Sequence, residues 1–297
     1  MAIPPNAVTA GPDFTTVLAS VPGLGEFPFR VHSCPDQYIS RSLIQEKIWE
    51  PFETEVFRRL CQPGDVVADL GANIGWYSII AAHLVGEQGK VFAFEPDSAN
   101  FEILRENVLA SPNAQQMDIF KLALSDFRAQ SKLYLCPSNL GDHRLFDDGS
   151  PRAWRLVDTS TLDVFFAEIP RKPTLVKSDT QGSEARILRG AQRLFADNWR
   201  PILILEFWPF GLSKSGSDPV ELIDVLLSLD YGLYEVTEQY PRLIPTGRTL
   251  SERLKDDLSP HSEQYINLLC LPRNSERLSL VADLVEPSGS SGGIVLR

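Results

Sequence analysis

The segment DLGANIG at residues 69–75 places an acidic residue and two glycines where a predicted strand passes into a predicted helix. Gly71 and Gly75 permit a tight turn and the close approach of a ligand to the backbone. The first turn of the helix also offers unpaired N–H groups to an anion such as an amino-acid carboxylate. No Gly-Lys-Ser/Thr follows, which excludes a P-loop, and Asn73 stands where the dinucleotide fingerprint GxGxxG has its middle glycine. The turn therefore predicts a ligand at the edge of an α/β sheet without identifying it.

Glu95 ends the next predicted strand, 20 residues after Gly75. A carboxylate at this place can accept hydrogen bonds from the two hydroxyls of a ribose. Enzymes that bind NAD use the same arrangement, so Glu95 predicts a nucleoside ligand and leaves its identity open.

Strands and helices alternate around these residues, which predicts an α/β fold with a doubly wound sheet and helices on both faces. The predicted strands of that sheet are 66–71, 90–96, 117–125, 174–179, 201–207, 233–236 and 265–272, and the predicted helices are 76–85, 98–110, 160–169, 183–197 and 219–230.

Three regions follow from this pattern. Residues 1–50 are expected to form an N-terminal arm and cap, residues 51–272 the main domain, and residues 273–297, which include PSGSSGG, a flexible tail. Residues 126–160 break the alternation and are polar and turn-rich around 139–154, so we expect an inserted loop that shapes function or is disordered.

Composition limits the classes of partner. The formal net charge is −11 and no run of Lys and Arg exceeds two residues, so we expect no nucleic-acid partner. No segment approaches the length of a membrane span, and the N-terminus lacks the features of a secretory signal. The four cysteines are far apart and form no CxxC pair, which indicates reduced thiols. These observations predict a cytoplasmic protein without a membrane partner, as a monomer or a homodimer.

The chain resembles the FkbM family of S-adenosylmethionine-dependent methyltransferases. The most specific segment is VKSDTQGSEARILRGA at 176–191, which resembles the family signature KxDxxGxE, although Ser178 and Thr180 replace the usual apolar neighbours of Asp179. The other matching segments are PGDVVADLGANIGWYS (63–78), VFAFEPDSANFEILREN (91–107), LALSD (122–126), the Leu162-Asp163 pair and Glu206 in LILEF.

This resemblance implies a Rossmann-like class I methyltransferase fold with a seven-stranded, mostly parallel sheet and an antiparallel seventh strand. It also implies that S-adenosylmethionine is the cofactor and that residues 51–272 form the methyltransferase domain. When the family's cofactor contacts are carried over by position, the methionine portion would contact Asp69, Gly71, Asn73 and Gly75. The ribose would contact Glu95, and the adenine would lie beside Ala123 and Ser125. Glu53 would also approach the cofactor.

Methyl transfer to a hydroxyl needs an aligned acceptor and a base for its proton. His143 lies in the predicted loop at the strand ends and is our candidate base. Asp179 and Glu206 end neighbouring strands, so both carboxylates should reach one rim, while Lys177 is expected to point to the opposite side of its strand. Asp179, Glu206 and His143 or Asp142 could position the acceptor or hold a divalent cation such as Mg²⁺.

The sequence thus predicts an enzyme that methylates a hydroxyl of a sugar or small natural product. Three alternatives stay open: an N-methyltransferase that acts on a small amine, an NAD-linked oxidoreductase, and a non-catalytic protein that binds the methyl donor. The missing GxGxxG and the KxDxxGxE-like segment count against the oxidoreductase.

Overall fold

A computed structural model describes residues 13–33, 36, 38–256 and 258–287. The strands are β1 (Phe14–Val21), β2 (Gly25–His32), β3 (Val66–Leu70), β4 (Lys90–Phe94), β5 (Met117–Phe120), β6 (Ala123–Leu124), β7 (Gln130–Tyr134), β8 (Trp154–Ser160), β9 (Leu175–Ser178), β10 (Ile202–Phe207), β11 (Tyr231–Val236), β12 (Ile244–Thr246) and β13 (Ile266–Pro272). The α-helices are α1 (Ile39–Glu46), α2 (Pro51–Leu60), α3 (Trp76–Leu84), α4 (Ser98–Ala110), α5 (Leu162–Phe165), α6 (Glu184–Arg189), α7 (Gln192–Ala196), α8 (Pro209–Lys214), α9 (Pro219–Ser228) and α10 (Arg248–Arg253).

The main sheet has eight strands in the order β12-β11-β13-β10-β9-β3-β4-β5. Strands β5, β4, β3, β9 and β10 are parallel, and β13 runs antiparallel between β10 and β11. The order of the strands reverses between β3 and β9, where the carboxyl ends of an open α/β sheet bind ligands. This confirms the predicted α/β fold with a mostly parallel sheet and an antiparallel late strand.

The eighth strand, β12, was not predicted because its three residues lie at the edge of the sheet and have no buried, alternating pattern. Strand β3, by contrast, has the sequence VVADL and is buried at all five positions. Such a continuous apolar run is typical of a central parallel strand covered on both faces.

Two predicted elements are divided in the structure. The predicted strand 117–125 ends at Phe120, and β6 then joins β7 and β8 in a separate three-stranded sheet. The predicted helix 183–197 breaks at Gly190, where an added Cβ would lie 2.2 Å from the carbonyl oxygen of Ser125. The predicted helix 160–169 is also shorter, because α5 has only four residues.

The inserted segment 126–160 contains regular structure at both ends, since β7 pairs antiparallel with β8. The remaining residues, 135–153, form a loop whose carbonyl at Arg144 accepts a hydrogen bond from the backbone of Tyr134. This segment thus starts and ends on a small sheet beside the carboxyl ends of the main strands.

Both ends of the described chain pack against the elements around the main sheet. The β1–β2 hairpin buries Phe29 and Val31, and Arg30 exchanges backbone hydrogen bonds with the Asn107 side chain on α4. Residues 273–287, part of the predicted tail, form two short 3-10 helices, and Arg277 makes two hydrogen bonds of 2.6 and 2.7 Å to the buried Asp65. Residues 1–12 and 288–297 lie outside the described residues, and the division into arm, domain and tail stays a prediction. Among the described helices, none is both long and apolar enough to cross a membrane.

The glycine turn after β3 gives a stability prediction. Gly71 has a φ of +79°, and an added Cβ would lie 2.1 Å from the backbone oxygen of Asp179. Gly71→Ala should lower the free energy of unfolding by about 3 kcal/mol or more, from the unfavourable φ and the overlap together. The measurement is urea denaturation followed by circular dichroism.

Gly64→Ala is the matched control, because Gly64 also has a positive φ, +85°, but nothing lies within 4 Å of its added Cβ. Its expected loss is about 1–2 kcal/mol from φ alone. Equal losses for the two variants would contradict the importance of the contact between the two loops.

Candidate functional site

The turn after β3 supports the site through its backbone. Gly71 lies against the carbonyl of Asp179, so the β3–α3 turn and the β9–α6 loop touch where the strand order reverses. Asn73 adopts a left-handed φ of +51°, and Gly75 a φ of +96° with Leu104 filling the space beside its Cα. Close packing therefore holds the predicted ligand turn open toward the strand ends.

Asp69 faces the start of α3. Its Oδ2 accepts a 2.5 Å hydrogen bond from the Ser78 hydroxyl, and its side chain is buried. Burial raises the pKa of Asp69 to about 6. Asp69 lines a small cavity together with Gly71, Asn73, Tyr77 and Asp179.

Glu95 is held by two backbone groups at the end of β4. Its Oε2 accepts from the Asn73 N–H at 2.8 Å and its Oε1 from the Asp97 N–H at 2.7 Å. Burial raises the pKa of Glu95 to about 8. Each carboxylate oxygen keeps capacity for a second hydrogen bond, so the orientation suits a pair of neighbouring hydroxyls.

A cleft of about 540 Å³ begins at Glu95. It brings together four of the predicted cofactor residues, Gly71, Asn73, Glu95 and Ala123. Its apolar wall is formed by Phe94, Pro96, Leu122, Leu124, Leu133, Leu140 and Leu145. The carboxyl group at one end can bind the hydroxyls of a ribose, and the apolar slot can hold a nucleobase. Ser125 is buried beside this slot, where its N–H donates to Ser160, and is not part of the lining.

The inserted segment covers this cleft. The carbonyl of Leu140 accepts hydrogen bonds from Asn73 Nδ2 at 3.1 Å and from Asn100 Nδ2 at 2.8 Å. Asn100 in turn meets His32 Nε2 at 2.8 Å. The segment is therefore attached to the glycine turn and to α4 through one carbonyl group.

His143 lines the cleft from the same segment. Its Nδ1 accepts a 3.1 Å hydrogen bond from the Cys136 N–H, so in the neutral ring the proton is assigned to Nε2. Burial lowers the pKa of His143, which favours the neutral ring. With its lone pair already used, this imidazole is arranged as a hydrogen-bond donor, and the predicted role as base has no geometric support.

Asp179 and Glu206 do meet at one rim. Gln181 Nε2 donates to Asp179 Oδ1 at 2.7 Å and to Glu206 Oε1 at 3.0 Å. Burial and the neighbouring carboxylate of Asp179 raise the pKa of Glu206 well above its ordinary value. Gln181 itself has a φ of +52°, an unfavourable conformation for a residue with a side chain.

Lys177 lies on the same side of β9 as Asp179, which corrects our expectation that it points away. Residues two apart on a strand share a face, so the alternation was wrongly applied. Lys177 Nζ lies 2.9 Å from Glu53 Oε1 and 3.8 Å from Asp179 Oδ2, and it is almost completely buried. Glu53 is therefore the partner of a buried lysine, and its contact with the cofactor stays a prediction.

Two residues of this cluster were not predicted. Tyr77 donates a 2.8 Å hydrogen bond to Glu50 Oε2, and Lys177 lies 5.1 Å from the centre of the Tyr77 ring. Glu50 precedes α2 with a φ of +42°, and burial followed by the charge of Glu53 raises its pKa. The sequence signal that could have indicated Glu50 is its place before the helix-starting Pro51.

The remaining signature residues hold the β9–α6 loop. Glu184 Oε1 accepts from the N–H of Thr180 at 2.8 Å and from its hydroxyl at 2.7 Å. Gly182 is packed so closely that an added Cβ would lie 2.5 Å from the backbone of Gly211. The residues of the signature KxDxxGxE thus stabilise the β9–α6 loop, which positions the Asp179 side chain.

The predicted cation site is not assembled. Within residues 13–33, 36, 38–256 and 258–287, no three His, Cys, Asp or Glu side chains form a group that could hold a metal ion. Asp179 and Glu206 are joined by the Gln181 amide, while the His143 ring is bound to the backbone of Cys136.

The buried carboxyls give a pH prediction. The pKa of Glu95 is raised to about 8 and that of Glu184 to about 7, mainly by burial, so the folded protein keeps protons that the unfolded chain has lost. Stability therefore falls as pH rises from about 6.5 to 8.5. Below that range His143, whose pKa is lowered, makes stability rise with pH and so opposes the effect of the carboxyls.

Urea denaturation of the ligand-free protein across that pH range is the measurement. Glu95→Gln should flatten the decline, because the amide does not titrate. A free energy of unfolding that is constant or rises over this range would contradict the prediction.

Known proteins were compared with the chain. Residues 69–233 match the family described as the Methyltransferase FkbM domain. Hexuronic acid methyltransferase AglP of Haloferax volcanii is 28% identical over 165 residues, which are 52% of this chain and 64% of that protein. The chain thus spans less than two thirds of the length of this relative.

Two further similarities are more limited. A segment of 37 residues is 54% identical to Ribosomal RNA large subunit methyltransferase E of Chromobacterium violaceum, over 12% of this chain and 18% of that protein. The structure of precorrin-6y C5,15-methyltransferase from Geobacter metallireducens GS-15 aligns with a TM-score of 0.38 at 13% identity, over 73% of this chain and 86% of that chain.

The family match covers more than half of the chain and includes both the glycine turn and the KxDxxGxE-like loop. The chain belongs to the FkbM family of S-adenosylmethionine-dependent methyltransferases.

Proposed function

We propose that the protein transfers a methyl group from S-adenosylmethionine to a hydroxyl of a sugar or other small natural product. The family assignment sets aside the NAD-linked oxidoreductase. The relative from Haloferax volcanii is described as a hexuronic acid methyltransferase, which supports a sugar as the acceptor.

The described residues fit this cofactor. Gly71 lines both cavities without a side chain that would narrow them, and Glu95 has spare hydrogen-bonding capacity for two ribose hydroxyls. The apolar slot beyond Glu95 suits the adenine, and the smaller cavity lined by Asp69 suits the methionine portion. When bound, the cofactor supplies an electrophilic methyl group on a sulfonium.

The observation that carries the proposal is the position of Asp179. It lines both cavities, and about a third of its side chain, 33%, is exposed, whereas those of Lys177 and Glu53 are 1% exposed. A carboxylate at the junction of the two cavities can accept the proton of an acceptor hydroxyl.

Two neighbours orient this carboxylate. Gln181 binds its Oδ1 and Lys177 approaches its Oδ2, so the side chain is held from both sides. Alignment of the acceptor oxygen is the main task in a methyl transfer. A fixed carboxylate therefore positions the hydroxyl and takes its proton in one arrangement.

Asp179→Asn tests this role. Turnover should fall by about 10²-fold or more, because the amide cannot accept the proton. Binding of S-adenosylhomocysteine, measured by calorimetry, should stay close to that of the wild type. The activity assay uses methyl-labelled S-adenosylmethionine and a cell extract as the source of acceptors.

The control is Asp224→Asn, on the exposed side of α9, which should keep full activity. Full turnover in Asp179→Asn would reject Asp179 as the base. A labelled amine in place of a labelled ether would reject O-methylation and favour the N-methyltransferase.

His143 gives a second test, since its geometry suits donation to the nucleoside from Nε2. His143→Ala should weaken S-adenosylhomocysteine binding by about 3- to 10-fold, the loss of one neutral hydrogen bond. Turnover at saturating cofactor should change little. The exposed His261→Ala is the control.

The two measurements separate the roles that His143 could have. Unchanged cofactor affinity with a large loss of turnover would contradict the donor role and restore His143 as the candidate base.

A further inference from the structure

The end of β10 presents an unsatisfied donor and an unsatisfied acceptor. Glu206 and Trp208 are two residues apart in extended backbone, so their side chains share a face. Both residues are 4% exposed. Within the part of the chain that the structure describes, neither Glu206 Oε2 nor Trp208 Nε1 has a hydrogen-bond partner. Each unpaired buried group costs about 1–3 kcal/mol, so the pair needs an explanation.

Two neighbouring polar groups of this pair are already engaged. Glu206 Oε1 accepts from Gln181, which also holds Asp179. The Arg144 guanidinium lies 4.5 Å from the centre of the Trp208 ring. It is itself bound to Asp142, at 2.6 and 2.9 Å, and to Asp148. Glu206 Oε2 and the Trp208 N–H are therefore not used by these neighbours and can bind a ligand.

The complementary ligand group is a hydroxyl. A hydroxyl can accept from the indole N–H and can pair with Glu206 Oε2 whether or not that carboxyl is protonated. An ammonium has no acceptor for the indole. A carboxylate would lie among the negative charges of Asp142, Asp179 and Glu184, which already raise the pKa of Glu206 together with its burial.

We propose that Glu206 and Trp208 form a hydroxyl-binding subsite that selects an uncharged, polyhydroxylated acceptor and positions it at Asp179. The Gln181 amide connects the subsite to the base, so one hydroxyl is held while another is methylated. This proposal rests on the proposed O-methyltransferase function and adds the charge class of the acceptor.

The relative described as a hexuronic acid methyltransferase provides a contrast, because a hexuronic acid carries a carboxylate. The subsite at β10 offers no charge-complementary partner for such a group, since Arg144 is paired with Asp142 and Asp148. The two proteins therefore differ in the charge of their acceptors under this proposal.

The first experiment measures the charge of the product. The wild-type protein is incubated with methyl-labelled S-adenosylmethionine and a cell extract, and the products are treated with base to hydrolyse methyl esters, whose label is removed as volatile methanol. They are then separated on anion and cation exchangers. Label that passes through both exchangers as a stable ether is the expected result, whereas an ether retained on the anion exchanger would overturn the subsite.

The second experiment uses variants with the purified acceptor. Trp208→Phe keeps a ring but removes the N–H, and should raise the acceptor KM by about 3- to 10-fold. Glu206→Gln replaces one carboxyl oxygen with an NH2 group, which cannot accept a hydrogen bond from the substrate hydroxyl. This variant should also raise the acceptor KM. Binding of S-adenosylhomocysteine should be unchanged in both variants, which also shows that they fold.

Trp154→Phe is the matched control, because Trp154 is 51% exposed on β8 and should leave the acceptor KM unchanged. An acceptor KM unaffected in Trp208→Phe and Glu206→Gln would overturn the subsite while O-methylation stands. Label found on an amine would instead contradict the proposed function, and the linkage distinguishes the two failures.

Discussion

The contact between Gly71 and the carbonyl of Asp179 is the constraint on which the site depends. β3 and β9 are neighbours in the sheet, and the turns that follow them touch because Gly71 has no side chain. One turn carries the backbone that we propose binds the cofactor, and the other carries Asp179. Under the proposed function, close packing at this point sets the separation between the cofactor and the acceptor, and a small error there would misalign the reacting groups.

The same place concentrates backbone conformations that are costly for residues with side chains. Among the described residues, Glu50, Asn73 and Gln181 all have positive φ, and each borders the site from a different loop. Such conformations persist only where surrounding contacts impose them. Here the contacts are Tyr77 on Glu50, the Leu140 carbonyl on Asn73, and Asp179 with Glu206 on Gln181.

The sequence predicted the features that depend on nearby residues. The glycine turn, Glu95 and the central strands follow from local composition and from apolar runs. The pairing of Lys177 with Glu53 joins α2 to β9, and no local pattern indicates which carboxylate a buried lysine will meet. The β1–β2 hairpin was missed for a similar reason, because its buried face is defined by α3 and α4. His143 illustrates a third limit, since its role depends on a hydrogen bond to Cys136 that spacing does not reveal.

The carboxylates of the site differ in how deeply they are buried, and this difference affects what each can do. Glu53 is neutralised by Lys177, and Glu206 lies where burial favours its neutral form, so neither is a free charge at the surface of the cleft. Asp179 differs from both because solvent reaches it and because Lys177 and Gln181 stabilise its orientation. A site with one accessible carboxylate and several shielded ones can accept a proton at a single point. Under the proposed subsite, the shielded Glu206 acts on the acceptor through a hydrogen bond, which favours a substrate that is rich in hydroxyls over one that brings its own negative charge.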